Sequence, residues 1–272
     1  RQVKYIANTE YEAKKIYDEL SVYLNKKVEF LTTTDILFYH LDARDRKADA
    51  RNLKTILRLL KKEKIILVTS VEAITRKYVP KKIILDNIFK LKVGQSMDMQ
   101  DLARKLEDLG YQRDGKVEGF GQFSMRGGII DVFTLMYNFP LRLEFFDDEI
   151  DSIREFDIYS QKSIDKFKSV TITPSRDFIY PDDVGMAVEK IRADLSDITD
   201  LDVFRNIEKI GAKEYFDGLE NYIDYMYEGQ DKSLFEYLED DALIFIDDIS
   251  RYRERFKNIH SEFKDKYMLN LE

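Results

Sequence analysis

Three groups of residues have types and spacings that invite chemistry. Asp247-Asp248 closes the apolar run Leu243-Ile244-Phe245-Ile246. An acidic pair at the carboxyl end of a buried strand is where nucleotide hydrolases hold Mg²⁺. Such a site also needs a phosphate cradle, and no G-x-x-x-x-G-K-[ST] occurs in the sequence. A solvated strand end therefore explains the pair with fewer requirements. His40 and His260 lie far apart with no partners at metal-ligand spacing, so zinc chemistry is not expected. No G-x-S-x-G elbow is present. With no cysteine, disulfides, thiolate metal sites and thiol nucleophiles are excluded together. The third group is Arg126 followed by Gly127 and Gly128, with Arg113 near the start of the same segment. Two glycines let the backbone turn sharply and leave the arginine side chain uncovered. A guanidinium pairs carboxylates bidentately and stacks on aromatic rings, which suits an interface anchor. This points to docking rather than to a catalytic pocket.

The elements that must carry these arginines form an antiparallel meander over 111–163. Ile129, Val132 and Phe133 mark one strand, and Leu141, Leu143, Phe145 and Phe146 the next. Asp147-Asp148 sits at a hairpin turn, and Ile150, Ile153 and Phe156 mark the return strand. A helix precedes the meander, with Leu102, Ala103, Leu106 and Leu109 on one face and Gly110 at C′.

The first eighty residues alternate differently. Val3 to Ala7 is a strand, then Thr9 to Glu12 forms a capping-box pattern ahead of the stripe Ala13, Ile16, Tyr17 and Leu20. A strand at 28–31 follows, then the stripe Leu53, Ile56, Leu57 and Leu60, and the apolar run Ile65 to Val68. Thr69-Ser70-Val71-Glu72 is a second capping-box pattern, and the rhythm is that of an α/β layer. Pro80, the lysines after it and Gly94 suggest a boundary within 80–95. Past residue 168 come helical stripes near 187–195 and 203–210, then the aromatic cluster Tyr215, Phe216, Tyr222, Tyr225, Met226 and Tyr227. Aromatics at this density are expected in the core rather than as a base-stacking platform. Leu243 to Ile246 is predicted as a buried strand. Residues 251–265 alternate in charge, as on a solvated helix face.

The composition fits this division. With 44 basic and 52 acidic residues the formal net charge is −8, so the chain as a whole is not built to coat phosphates. No run of 18 apolar residues occurs and the N-terminus lacks an apolar signal region, so neither a membrane span nor a signal peptide is expected. The absence of cysteine fits a reducing compartment. A chain that opens almost directly in a strand reads as a piece of something longer.

GQFSMRGGIIDVF, RLEFFDDEIDSIREFD and the following SQKS resemble the N-terminal module of the bacterial transcription-repair coupling factors, the Mfd translocase family, and through it the excision-repair protein UvrB. ILVTSVEAI resembles the matching strand and helix of the first domain, and DGLENY is similar to the UvrB-type G-[IL]-E-N-Y element. SLFEYLEDDALIFIDD is similar to the segment that ends in the acidic motif of UvrB. The resemblance covers essentially the whole chain. It implies an α/β fold: a degenerate helicase-like layer of the P-loop NTPase type, with an inserted α+β antiparallel-sheet domain like UvrB domain 2. The corresponding divisions are 1–88 for domain 1A, 89–168 for domain 2, and 169–272 for a mostly helical domain 1B with a closing strand near 242–246.

Departures from the family pattern carry as much meaning. Where UvrB has Asp-Glu-Ser-His, this sequence reads Asp247-Asp248-Ile249-Ser250, without the glutamate or the histidine. The stretch TTTDILFYHLDARDRKADARN is too short to supply the long aromatic hairpin with which UvrB wedges DNA. The resemblance thus implies a non-catalytic module that uses no cofactor of its own, whereas the parent translocase consumes ATP with Mg²⁺ and displaces stalled RNA polymerase from DNA. The implied partner is UvrA, met through the inserted domain, with Arg113 and Arg126 matching the contact arginines beside Gly127 and Gly128. Ser124 falls where UvrB carries a third arginine. The resemblance further implies that a C-terminal domain of the parent masks this surface, that RNA polymerase and DNA are met by domains outside this sequence, and that the protein is cytoplasmic. The alternative is a UvrB-like fragment that retains nucleotide or DNA binding near Asp247.

Overall fold

The computed structural model describes residues 1–24, 27–33, 46–195 and 201–269, with the backbone alone at 46–49, 260 and 262–269. Residues 34–45 of the stretch expected to lack the wedging hairpin, His40 among them, lie outside the described residues, as does the His260 side chain. The chain divides into two compact units, Arg1–Lys81 with Tyr180–Glu272, and Lys82–Ile179.

The first segment alternates as its periodicity requires: β1 (Val3–Ala7), α1 (Glu10–Leu24), β2 (Val28–Leu31), α2 (Arg46–Leu60), β3 (Ile66–Ser70) and α3 (Val71–Thr75). The Thr9 hydroxyl accepts from the Glu12 N–H at 3.2 Å, satisfying one of the orphan donors at the start of α1. α3 begins one residue later than the 69–72 pattern suggests. Ser70 caps it by accepting from the Ala73 N–H at 3.2 Å. Thr69 is occupied elsewhere, donating to the Leu31 carbonyl at 3.0 Å. The α1 stripe packs on Val28, Phe30 and Val68, with the Tyr17 ring stacked on Phe30 at 5.4 Å.

The second unit contains α4 (Lys81–Asp86), β4 (Phe89–Lys92), α5 (Met99–Asp108), β5 (Gln112–Arg113), β6 (Gln122–Arg126), β7 (Ile129–Val132), β8 (Leu141–Phe146), β9 (Glu149–Phe156), β10 (Ser163–Lys166) and β11 (Ser169–Ile172). Six strands make one sheet in the order β10-β9-β8-β7-β6-β5, antiparallel except where β5 joins β6 in parallel. β11 pairs with β4, Val170 opposite Leu91, and residues 169–179 fall within the compact unit Lys82–Ile179. Asp98 caps α5, which lays Leu102, Ala103 and Leu106 on the sheet. Ile150 and Ile153 cannot both face inward under strict alternation. A bulge resolves this: Phe145 opposes Ile150 while Glu144 opposes Ser152, so Asp151 is the extra residue and both isoleucines reach the core.

One face of this sheet is thus apolar, and the other carries a polar row. Ser124 opposes Asp131, Asp131 opposes Arg142, and Arg142 opposes Arg154. Asp131 and Arg142 are both buried. The Arg142 Nε donates to Asp131 Oδ1 at 2.7 Å and its Nη2 to Oδ2 at 2.8 Å. The same Nη2 also reaches Gln161 at 2.8 Å, and the guanidinium lies 4.1 Å from the centre of the Phe156 ring. Fork geometry, a neutral hydrogen bond and a ring face together compensate the desolvation of both charges.

The chain returns through α6 (Gly185–Asp194), α7 (Leu201–Gly211), α8 (Ile223–Met226), β12 (Leu243–Ile246) and α9 (Ile249–Leu269). β12 joins the parallel sheet in the order β12-β1-β3-β2, with Val3 opposite Leu243 on one side and Ile66 on the other. The fold is mixed α/β, with one parallel and one larger mostly antiparallel sheet. β12 corrects an expectation: all four of its residues are exposed. β2 at the other edge is largely buried because α1 and α2 cover it, whereas among the described residues β12 packs chiefly on its neighbour β1. In the aromatic cluster, Met226 and Tyr227 are buried, while Tyr215, Phe216, Tyr222 and Tyr225 are half-buried, so the expectation of core placement holds in part.

Lys4 lies in the inner strand β1, fully buried, with no hydrogen-bond partner for its ammonium among the described residues and the Phe235 ring 4.0 Å away. Burial pushes its pKa down from 10.5 to about 7. Between those values the folded chain binds fewer protons at Lys4 than the unfolded chain does, so stability rises with pH across that window. Replacing Lys4 with Met should stabilise the protein at pH 7 by about 1–3 kcal/mol and flatten this part of the pH dependence, measured by urea denaturation at pH 7 and 9. The Asp131→Ala variant should lose about 3 kcal/mol, because Arg142 is left as an uncompensated buried charge; a loss below about 1 kcal/mol, the size of a surface pair, would contradict the clamp.

Candidate functional site

Arg126 and Ile129 face each other across β6 and β7, so Gly127-Gly128 is a two-residue hairpin turn. The turn needs these glycines for different reasons. Gly127 has φ +54°, in the left-handed region. A Cβ on Gly128 would stand 3.0 Å from the Phe145 carbonyl oxygen, where backbone cannot give way. The Gly128 carbonyl accepts from the Phe145 N–H at 2.8 Å, which ties the turn to β8.

Arg126 is less free than the glycine pair alone suggests. Its Nη2 donates to Asp131 Oδ2 at 3.0 Å, and its side chain is 51% exposed while that of Asp131 is 2% exposed. Asp131 is therefore shared: Arg142 holds it from the buried side and Arg126 from the solvent side. The guanidinium of Arg126 is oriented at one nitrogen and keeps the rest of its fork for another acceptor.

The other expected residues are placed differently. Arg113 opposes Phe123, and opposed residues share a face. Arg113 thus lies on the Phe123 side of the sheet, exposed, with its Nη2 4.0 Å from the Met125 sulfur. Arg126 lies on the opposite side with Ser124 and Asp131. The two arginines are not brought together on one face. Ser124 is 1% exposed and its hydroxyl has no hydrogen-bond partner among the described residues, so it offers no surface where a third arginine would reach outward. Sequence reasoning missed Asp131 and Arg142. The usable signal was their alternation with Ser124 on the strand face opposite the apolar one, but alternating polar residues normally face solvent.

At the carboxyl ends of the parallel strands, Asp248 accepts from the N–H groups of Ser250 at 2.8 Å and Arg251 at 3.2 Å and so caps α9. Tyr5 is raised in pKa by burial and by its hydrogen bond to Asp247. Two acidic side chains near this end are already engaged by α9: Arg251 donates to Glu12 at 2.7 Å and Arg255 to Glu72 at 2.6 Å. Among the described residues no group of three or more His, Asp or Glu is arranged to hold a metal ion, and no helix is long and apolar enough to cross a membrane.

Comparison with known proteins places these features. Residues 89–178 match the family described as the UvrB interaction domain, nearly coincident with the unit Lys82–Ile179. The transcription-repair-coupling factor of Bacillus subtilis strain 168 is 30% identical over 280 residues, 98% of this chain and 24% of that protein. That of Staphylococcus epidermidis strain ATCC 12228 is 30% identical over 284 residues, 100% of this chain and 24% of that protein. That of Staphylococcus haemolyticus is 29% identical over 97% of this chain and 24% of that protein. The chain spans about a quarter of the length of these curated relatives. Along essentially its whole length the chain is similar to bacterial transcription-repair-coupling factors, and its residues 89–178 match the UvrB interaction domain.

Proposed function

We propose that the chain is a docking module that binds UvrA through the unit Lys82–Ile179 and so brings nucleotide excision repair to RNA polymerase stalled at DNA damage. One observation carries the reading: a half-exposed Arg126, oriented by a buried carboxylate at a rigid hairpin turn, within residues that match the UvrB interaction domain. Anchors of this kind are fixed before binding and lose little entropy on contact. Arg113, on the other face of the sheet, serves as a second contact at the β5 edge. The parallel layer is then a helicase-like layer without catalysis. The engagement of Glu12 and Glu72 by α9 supports this, since carboxylates held by arginine are poor ligands for Mg²⁺. ATP-dependent translocation and polymerase displacement belong to parts of the parent protein outside this chain.

The test is binding of purified UvrA to the 272-residue chain. Arg126→Glu reverses charge at the anchor and should weaken binding by about 2 kcal/mol or more, roughly thirtyfold. Arg113→Glu should weaken it less. Unchanged affinity in both variants would overturn the docking assignment. Saturable binding of ATP with Mg²⁺, abolished by Asp247→Asn, would favour a residual nucleotide site instead.

A further inference from the structure

Phe146 ends β8 and is 75% exposed, an unusual degree for a phenylalanine on a sheet. Its place is set by the pairing. Arg126 opposes Ile129, and Ile129 opposes Glu144. These residues share the outer face, and Phe146, two positions beyond Glu144, shares it as well. On this face Ile129 and Glu144 lie between Arg126 and Phe146, and beside them the Gly127-Gly128 turn presents bare backbone, bonded to Phe145 through the 2.8 Å N–H to carbonyl contact. A Cβ on Gly127 would meet nothing within 4 Å. The surface thus has a cation at one side and an exposed ring at the other, with the bare glycine turn along its edge and, between them, Ile129 and a Glu144 carboxylate already engaged by Ser152 and Arg154. Beyond the ring come Asp147, Asp148 and Glu149, all exposed.

We propose that Phe146 is the apolar half of the docking patch whose charged half is Arg126, and that the patch takes a surface segment of UvrA with a fixed polarity. This rests on the docking reading above. The partner segment carries a carboxylate for Arg126, a bulky apolar side chain over the glycine turn against Phe146, and a basic residue facing the 147–149 turn. Charge complementarity sets this order: a carboxylate near the turn would meet three acidic residues, whereas one near Arg126 completes a fork already oriented by Asp131. An aromatic ring and an arginine on one face form an arrangement in which interface energy concentrates.

The experiment measures the affinity of purified UvrA for the 272-residue chain and four variants by calorimetry, with thermal melts as a check on folding. Phe146→Ala should weaken binding about tenfold or more with an unchanged melting temperature, since the side chain is exposed. Phe146→Leu should recover most of the loss. Tyr159→Ala removes an aromatic that is 94% exposed at the opposite end of β9, and should leave affinity within about twofold. If Arg126→Glu weakens binding and Phe146→Ala does not, this inference fails and the docking reading stands. An equal loss at Tyr159 and Phe146 also overturns it. If neither Arg126→Glu nor Phe146→Ala has an effect, both fall.

Discussion

Asp131 accepts hydrogen bonds from two guanidinium groups, and the outer face of the antiparallel sheet depends on that shared carboxylate. Arg142 could not be buried without it, and Arg126 would have no fixed direction. The two arginines are unequal partners. The Arg142 side chain is nearly enclosed, so its pair with Asp131 is a matter of stability. Arg126 is half in water, where an ion pair contributes little energy and mainly orients the side chain. One carboxylate therefore links the interior of the domain to the group it presents. The glycine turn adds the complementary constraint, because Gly128 has no room for a side chain beneath the Phe145 carbonyl.

Much of this domain was legible in the sequence because its signals are local. Alternation of Leu141, Leu143 and Phe145, the turn at Asp147-Asp148 and the stripe Leu102, Ala103, Leu106 each fix one element. Residues 169–172 read as a strand from their own sequence, and the long-range pairing of β11 with β4 ties them to the unit Lys82–Ile179. The burial of Asp131, Arg142 and Ser124 was hidden. Alternation states which residues share a face, and it does not state whether that face is wet. The same limit applies in reverse to β12, whose apolar run Leu243 to Ile246 reads as buried although, unlike β2 at the other edge, it has no closely packed helix over it among the described residues. Arg113 and Arg126 sit in one short segment, and nothing in their spacing tells which faces they take. Register alone places them on opposite faces.

The two units divide the physical tasks. The unit Lys82–Ile179 has a well-filled core under one face of its sheet and spends the other face on a charged network. In the other unit, Lys4 sits in the inner strand β1 with no hydrogen-bond partner among the described residues, a cost that the sheet around it must offset. The acidic groups near the strand ends are tied to α9, which gives Glu12 and Glu72 a structural use. Binding by a preformed surface fits the first arrangement better than chemistry fits the second.

The most direct measurement is amide hydrogen exchange of the 272-residue chain with and without purified UvrA. Slowed exchange is expected at 126–129 and 144–148, the two adjacent turns that frame Arg126 and Phe146. Protection confined to residues 1–81 or 180–272, with 111–163 unchanged, would contradict it.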